Sequence, residues 1–332
     1  MLNVLSLFSG IGAFEKALTN LKIPFNLLAY CEIDKYASKS YSAIHGVPES
    51  MNLRDVTKVD WLDIDEMVDL ITYGFPCQDI SIAGQQKGFT DEDGKRTRSG
   101  LFFEALRIIE DFNPKFAIAE NVKALTSKKF ANEFRIVLES LDAAGYNNYF
   151  AVLNAKDYGI PQNRERVFII SIRKDIDIGF TFPDPVPLTL KLKDLLEDEV
   201  DEKYNLEGKF TEIVKVNENY SELTGGTIGK MTDIYRRCYN ENGIAPTLHT
   251  CPGGNTEAKI YRPEKDIYVR KLIPLEAFRL MGFTDEDYKK ASGAGISNSQ
   301  LYKQAGNSIV VIVLQAIFTS LGEKYEEFKV TI

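Results

Sequence analysis

Cys77 lies in the segment Gly74-Phe75-Pro76-Cys77-Gln78, directly after the apolar run Val68 to Tyr73. A thiol is the strongest intrinsic nucleophile among the side chains, although little of it is thiolate at neutral pH. The carboxyl end of a buried strand is also where open α/β sheets place their sites. A cysteine that merely fills core is the competing reading, because neither His45 nor His249 is a sequence-local base for it. Glu120 and Asn121 end a second apolar run, Phe116 to Ala119. A carboxyl there is costly without a partner, so a raised pKa is expected, and a protonated Glu120 could donate to a ring nitrogen of a base. The alternative is an Asx-like turn at Asn121 beside a solvated glutamate. Gln162-Asn163-Arg164-Glu165-Arg166 precedes a third run, Val167 to Ile172, and supplies two guanidinium forks. One suits a carbonyl oxygen, with a surface ion pair to Glu165 as the competitor.

These residues need elements that hold them. Val4 to Phe8 has the pattern of a buried strand, Ser9-Gly10-Ile11-Gly12 that of a turn, and Phe14, Ala17, Leu18 and Leu21 recur at helical spacing. Leu27 to Cys31 repeats the strand signal and ends at Glu32, after which Asp34 can cap a helix through Tyr41 and Ile44. Helical patterns at Leu101 to Ile109 and Phe130 to Leu141 separate the later strands. This alternation predicts an α/β fold whose parallel sheet is covered on both faces. Glu15 occupies the third glycine position of G-x-G-x-x-G, which disfavours a nicotinamide enzyme. Gly10 and Gly12 at one strand end and Glu32 at the next still suit an adenosine-containing cofactor, whose ribose hydroxyls Glu32 could accept. A plain tight turn and a solvated glutamate remain the alternative. Pro183, Pro185 and Pro187 interrupt regular structure. Beyond them Lys191 to Tyr268 is polar and irregular, the pattern of a smaller loop-rich domain, before helical order returns at Pro274 to Met281 and Ser308 to Leu321.

Composition narrows the chemistry further. The chain has 332 residues, 44% hydrophobic and 27% charged, the balance of a soluble globular protein with one large or two ordinary domains. Four cysteines without a C-x-x-C pair and two histidines disfavour a metal site, zinc hydrolysis and Ser-His-Asp catalysis. The longest apolar stretch, Ile309 to Leu314 with Ala316 to Phe318, is shorter than a bilayer span of ~20 residues. With no export signal visible, a cytoplasmic protein without a membrane is expected. A net charge of -8 argues weakly against nucleic acid, so local basic clusters matter. Gly84 to Phe89, continuing through Lys95, Arg96 and Arg98, is glycine-punctuated and basic, as a lid closing on DNA would be. Arg164, Arg166, Arg173, Lys174, Arg236, Arg237, Arg270 and Lys271 offer further phosphate contacts.

The strand-end segments, in this order, resemble the DNA (cytosine-5) methyltransferase family from about Leu5 to Leu314. Phe8-Ser9-Gly10-Ile11-Gly12 is similar to its cofactor motif, Gly74 to Gln78 to its nucleophile motif, Glu120-Asn121-Val122 to its acid motif and Gln162 to Arg166 to its arginine motif. Arg270-Lys271-Leu272, Arg279 to Phe283 and Gln304-Ala305-Gly306-Asn307-Ser308 resemble its carboxyl-terminal motifs. The resemblance implies a Rossmann-like S-adenosylmethionine-dependent methyltransferase fold, α/β with a mostly parallel sheet and a second, smaller recognition domain. Residues 1–188 and 284–332 would form the catalytic and cofactor-binding domain and 189–283 the target recognition domain.

Carried over, the resemblance makes Cys77 the nucleophile with Pro76 beside it, Glu120 the group at ring nitrogen 3, and Arg166, with Arg164, the group at the carbonyl oxygen. S-adenosylmethionine would be held by Phe8, Ser9, Gly10, Gly12, Glu32, Ile33, Asp55, Val56, Phe75, Pro76, Leu101, Asn307, Ser308 and Ile309. DNA would meet Gln78, Ser81, Gln85, Arg98, Arg164, Arg236, Arg237, Thr247, Leu248, Gly253 and Gly254. Asn163 departs from the family pattern, where a basic residue is common, and a phosphate contact is expected to be lost there. The implied reaction is methylation of carbon 5 of cytosine in a specific double-stranded DNA sequence. Base flipping and covalent addition of Cys77 to carbon 6 would carry it, in a restriction-modification setting with a cognate endonuclease on the same site and a monomer sufficient on DNA. Action on transfer RNA is the runner-up. A DNA-binding module without catalysis would need a broken Pro76-Cys77 or Glu120-Asn121-Val122, and both are intact. A flavin or nicotinamide oxidoreductase is weaker, its glycine pattern being incomplete.

Overall fold

A computed structural model describes residues 1–58, 64–76, 98–251, 255–262 and 269–329. The chain divides into two compact units. The first comprises Met1–Leu153, Glu165–Asp184 and Val313–Ile332, the second Asn154–Arg164 and Pro185–Ile312. Residues 154–164 and 284–312 therefore sort with the second unit, unlike the division at 188 and 284 that the motifs suggest.

The first unit is built on a six-stranded sheet. Its strands are β1 (Leu2–Leu7), β2 (Phe25–Cys31), β3 (Leu70–Tyr73), β4 (Phe116–Val122), β5 (Tyr146–Asn154) and β6 (Glu165–Arg173), in the spatial order β2-β1-β3-β4-β6-β5. Helices α1 (Ala13–Asn20), α2 (Lys35–His45), α3 (Phe102–Phe112) and α4 (Ala131–Ala143) connect strands along the chain. β1 lies parallel to both β2 and β3, and β3 parallel to β4. β6, by contrast, runs antiparallel to β4. A parallel return needs a crossover of a dozen or more residues. Between β5 and β6 the chain has ten, folded into a short turn at Ala155–Tyr158 and no crossover helix, so the alternation seen earlier stops short of β6. The central strands are buried on both faces, and all four residues of β3 are inaccessible. Leu5, Leu7, Ile71, Tyr73, Ala117 and Ile169 pack with Phe102, Ile108, Val137 and Leu141 into one core.

The second unit holds a sheet that the sequence pattern did not disclose. β7 (Glu212–Lys215), β8 (Tyr220–Thr224), β9 (Arg237–Asn240), β10 (Lys259–Tyr261) and β11 (Val269–Lys271) lie in the order β11-β10-β9-β8-β7. Strands of three to five residues are too short to display a period of two, which explains the loop-rich reading. The one-turn helix α5 (Asp233–Arg236) precedes β9, and Leu206, Leu223, Ile228, Cys238 and Val269 form a small core. Three helices follow, α6 (Pro274–Leu280), α7 (Asp285–Gly293) and α8 (Asn298–Asn307), while all but the first two residues of α9 (Val311–Gly322) belong to the first unit. By composition Asn298–Gly322 is apolar and long enough to span a membrane, but 61% of its most apolar window is buried in the protein, as in a core helix.

Candidate active site

The turn after β1 is held by backbone geometry few residues accept. Phe8, Gly10 and Gly12 have φ of 53°, 57° and 79°, and Phe8 is costly there because it carries a Cβ. The Ser9 amide donates to the carbonyl of Cys31 at 3.0 Å and its hydroxyl to the same oxygen at 3.1 Å, tying the turn to the end of β2. A Cβ at Gly12 would stand 2.1 Å from Nε2 of His45, so the position admits only glycine. That nitrogen lies 3.1 Å from the carbonyl oxygen of Ile11, which makes His45 part of the turn's support. A Cβ at Gly10 would meet nothing within 4 Å, so space beside that residue is open.

Glu32 faces this turn from the end of β2. Its Oε2 accepts from the Gly10 amide at 2.8 Å and its Oε1 from the Asp34 amide at 2.7 Å. Asn52, a residue the sequence reading missed, fixes the backbone there: its Oδ1 accepts from the Glu32 amide at 3.0 Å and its Nδ2 donates to the Glu32 carbonyl at 2.9 Å. Nothing in the local pattern marks it, since an asparagine in a loop is ordinary. Ile33 follows with 74% of its surface exposed, an apolar side chain in water. Asp55 is also half-exposed, and the Thr57 hydroxyl and amide hold its carboxyl below the usual range. Val56 and Phe75 are buried in the core, so neither side chain is presented to a ligand. Leu101 packs against the same core and is partly exposed.

At the ends of β4 and β6 two charged groups meet. Nε of Arg166 stands 3.0 Å from Oε1 of Glu120, the side chains being 16% and 12% exposed. The antiparallel register sets Val122 opposite Arg166 and Glu120 opposite Phe168, so the pair is a diagonal across neighbouring strands. Asn121 points inward, 3% exposed. Its Nδ2 donates to the Phe75 carbonyl at 3.0 Å and its Oδ1 accepts from the Val122 amide at 2.8 Å. The amide therefore anchors the chain one residue before Pro76.

Within the second unit, Arg164 departs from the expectation that it would touch base or phosphate. It is 3% exposed, and its guanidinium donates to the carbonyls of Leu248, Gly306 and Ser308. Sequence shows two equivalent forks two residues apart, and only burial separates them. Leu248 is likewise buried, while Thr247 donates its hydroxyl to the Asn163 carbonyl at 2.6 Å. Asn307 is exposed, with Ser308 and Ile309 buried after it. Arg236 pairs with Asp233 and, at 3.6 Å, Glu222, while Arg237 lies 4.9 Å over the Tyr220 ring. Four other basic residues offered for phosphate are also engaged: Arg173 with Asp175, Lys174 with Asp142, Lys271 with Glu257, and Arg270 with Glu276. Arg270, 1% exposed, is unavailable to any phosphate.

A family model of C-5 cytosine-specific DNA methylases matches residues 2–323. The chain belongs to the C-5 cytosine-specific DNA methylase family. Among its relatives are the type II methyltransferase M.HhaI of Haemophilus parahaemolyticus, 38% identical with 97% of this chain and 94% of that one covered, and the orphan methyltransferase M.SPBetaI of Bacillus phage SPbeta, 35% identical with 98% of each covered. The Dnmt2 methyltransferase of S. pombe has a similar fold, with a TM-score of 0.71 at 21% identity over 97% of this chain and 99% of the other.

As a methylase of this family the chain is a cytosine-specific DNA methyltransferase, and DNA is its partner. Several residues that the family pattern singles out, namely Cys77, Gln78, Ser81, Gln85, Gly253 and Gly254, lie outside the described residues, as does the side chain of Arg98. Pro76, the last described residue before Cys77, is partly exposed.

Proposed function

We propose that the chain transfers a methyl group from S-adenosylmethionine to carbon 5 of cytosine in one specific double-stranded DNA sequence. Cys77 is the covalent nucleophile and the target base is flipped out of the helix. The observation that carries the reading is the Glu120 to Arg166 pair, 3.0 Å apart at adjacent strand ends, with Asn121 of the same segment anchoring Phe75 two residues before Cys77.

The turn after β1 fits an adenosine-containing cofactor. Glu32 keeps acceptor capacity on both oxygens for ribose hydroxyls, the open space beside Gly10 admits close approach, and exposed Ile33 and half-buried Phe8 supply apolar faces for a purine. Asp55, Leu101, Asn307, Ser308 and Ile309 complete the proposed set. When bound, S-adenosylmethionine supplies an electrophilic methyl group.

Carbon 5 of cytosine is a poor nucleophile. Addition of the Cys77 thiolate to carbon 6 breaks the ring double bond and pushes its electrons through the ring, making carbon 5 enamine-like. Glu120 gives a proton to nitrogen 3 as that charge arrives, and Arg166 donates to the carbonyl oxygen. Once carbon 5 carries the methyl, a base takes its proton and Cys77 leaves. None of these atoms is reachable in a stacked duplex, so the nucleotide must swing out at a cost of a few kcal/mol.

The second unit, with Thr247, Arg236 and Arg237, is proposed to read the sequence, and one chain is sufficient on DNA, in the cytoplasm. The type II relatives support a restriction-modification setting, and the relatives named as orphans leave a partner endonuclease optional. Transfer of labelled methyl from S-adenosylmethionine into duplex DNA and into transfer RNA tests the substrate. Label in DNA alone, at one sequence found by bisulfite sequencing of an expressing host, is the expected result; label in transfer RNA alone overturns the proposal.

A further inference from the structure

Arg164 occupies the centre of a backbone junction that lies wholly in the second unit. Its Nη1 donates to the Leu248 carbonyl at 3.1 Å, and its Nη2 to the carbonyls of Gly306 at 2.9 Å and Ser308 at 2.7 Å. One planar group thus holds the segment proposed to read DNA and both carbonyls flanking Asn307, which is proposed to hold the cofactor. Gly306 brings the same two segments into direct contact: a Cβ there would stand 2.3 Å from the His249 oxygen and 2.7 Å from the Thr250 nitrogen. The residues before Arg164 complete the junction. Gln162 accepts from the Leu248 amide at 3.2 Å and donates to the Leu280 carbonyl at 2.9 Å, and Asn163 accepts from the Thr247 hydroxyl.

We propose that Arg164 is a positioning residue that couples target recognition to cofactor binding. The inference rests on the reading of Thr247 to Thr250 and Asn307 to Ile309 given under Proposed function and deepens it. A guanidinium fork is rigid, and buried partners stripped of a charged hydrogen bond are costly. Movement of the Leu248 carbonyl on engagement of DNA must therefore carry the Gly306 and Ser308 carbonyls with it. Coupling between two ligands is reciprocal, so a cognate duplex tightens the cofactor by the factor by which the cofactor tightens the duplex.

Titration calorimetry of the full chain with S-adenosylhomocysteine tests this, in the presence of a duplex carrying the methylated site and of the same duplex with that site scrambled. Wild type should bind about tenfold tighter with the intact site, within the usual range of coupling. In Arg164→Lys, which keeps the charge and loses the fork, the ratio should fall to about one to two while affinity for S-adenosylhomocysteine alone stays within about threefold. A merely structural role would weaken every affinity alike and preserve the ratio. A ratio near one in wild type, or an undiminished ratio in folded Arg164→Lys, overturns the coupling. If that variant does not fold, Gln162→Leu decides, because it frees the Leu248 amide at a residue not proposed to touch DNA, a lowered ratio supporting the coupling and an unchanged one overturning it. Absence of S-adenosylhomocysteine binding to wild type overturns the cofactor reading itself, a different failure from loss of the ratio alone.

Discussion

Nε of Arg166 and Oε1 of Glu120 form an ion pair 3.0 Å apart, joining the ends of two antiparallel strands whose residues are 46 apart in sequence. The pair sets a carboxyl and a guanidinium side by side, the two groups proposed above to meet nitrogen 3 and the carbonyl oxygen of a cytosine.

Glu120→Gln replaces the carboxyl that pairs with Arg166 and is proposed to protonate the ring. The turnover number should fall by about 10²- to 10⁴-fold, the usual worth of a general acid. DNA affinity should change far less, because the proton matters only as the ring is attacked. Single-turnover kinetics beside a filter-binding titration would measure both, and equal losses would recast Glu120 as a binding residue.

Cys77→Ser should abolish methyl transfer while S-adenosylmethionine still binds, since a serine hydroxyl is far less ionised at neutral pH than a thiol of pKa ~8.5. Wild type should also form a denaturation-resistant adduct with duplex DNA carrying 5-fluorocytosine at the target, because fluorine cannot leave as a proton. Gel analysis of the adduct would check this, with residual turnover in the serine variant counting against the nucleophile.

Glu15 is buried in the first turn of α1, and burial pushes its carboxyl up from 4.5 by more than the Ser6 and Tyr41 hydroxyls pull it down. The folded state therefore binds more protons than the unfolded one above pH 4.5. Stability is unaffected by this group below that value and declines as pH rises toward the folded pKa. Glu15→Gln should accordingly raise the urea midpoint at neutral pH, with the gain shrinking toward pH 4.5. Urea denaturation of both proteins across that range would show it, and a constant difference would exclude titration of Glu15 as the cause.

Arg270 and Glu276 form a bidentate pair at 2.9 and 2.7 Å with 1% and 0% exposure. Glu276 also accepts from the amides of Glu197 and Ile273. Glu276→Ala strands a buried guanidinium and should cost about 3–5 kcal/mol, whereas Arg270→Met with Glu276→Leu should cost less than the single change. Denaturant melts of the three proteins would decide, and additive losses would contradict the pairing.

The sequence by itself determined the strand, turn and helix at the N-terminus and the placing of Glu120 and Arg166 at strand ends. These features are written in short-range patterns: apolar runs, glycines in a turn, a cap at Asp34. Gly12 was legible as a turn residue, although the reason that only glycine fits is His45, 33 residues away. Tertiary structure alone decided the direction of β6, the five-stranded sheet of the second unit, and the fates of equivalent arginines. Arg164 and Arg166 share a motif, yet one is spent on carbonyls 84 to 144 residues distant and the other faces Glu120. Arg270, read as a phosphate contact, is closed in by Glu276. A charge's role depends on whether it is buried and what it meets there, and no local pattern records partners that far along the chain.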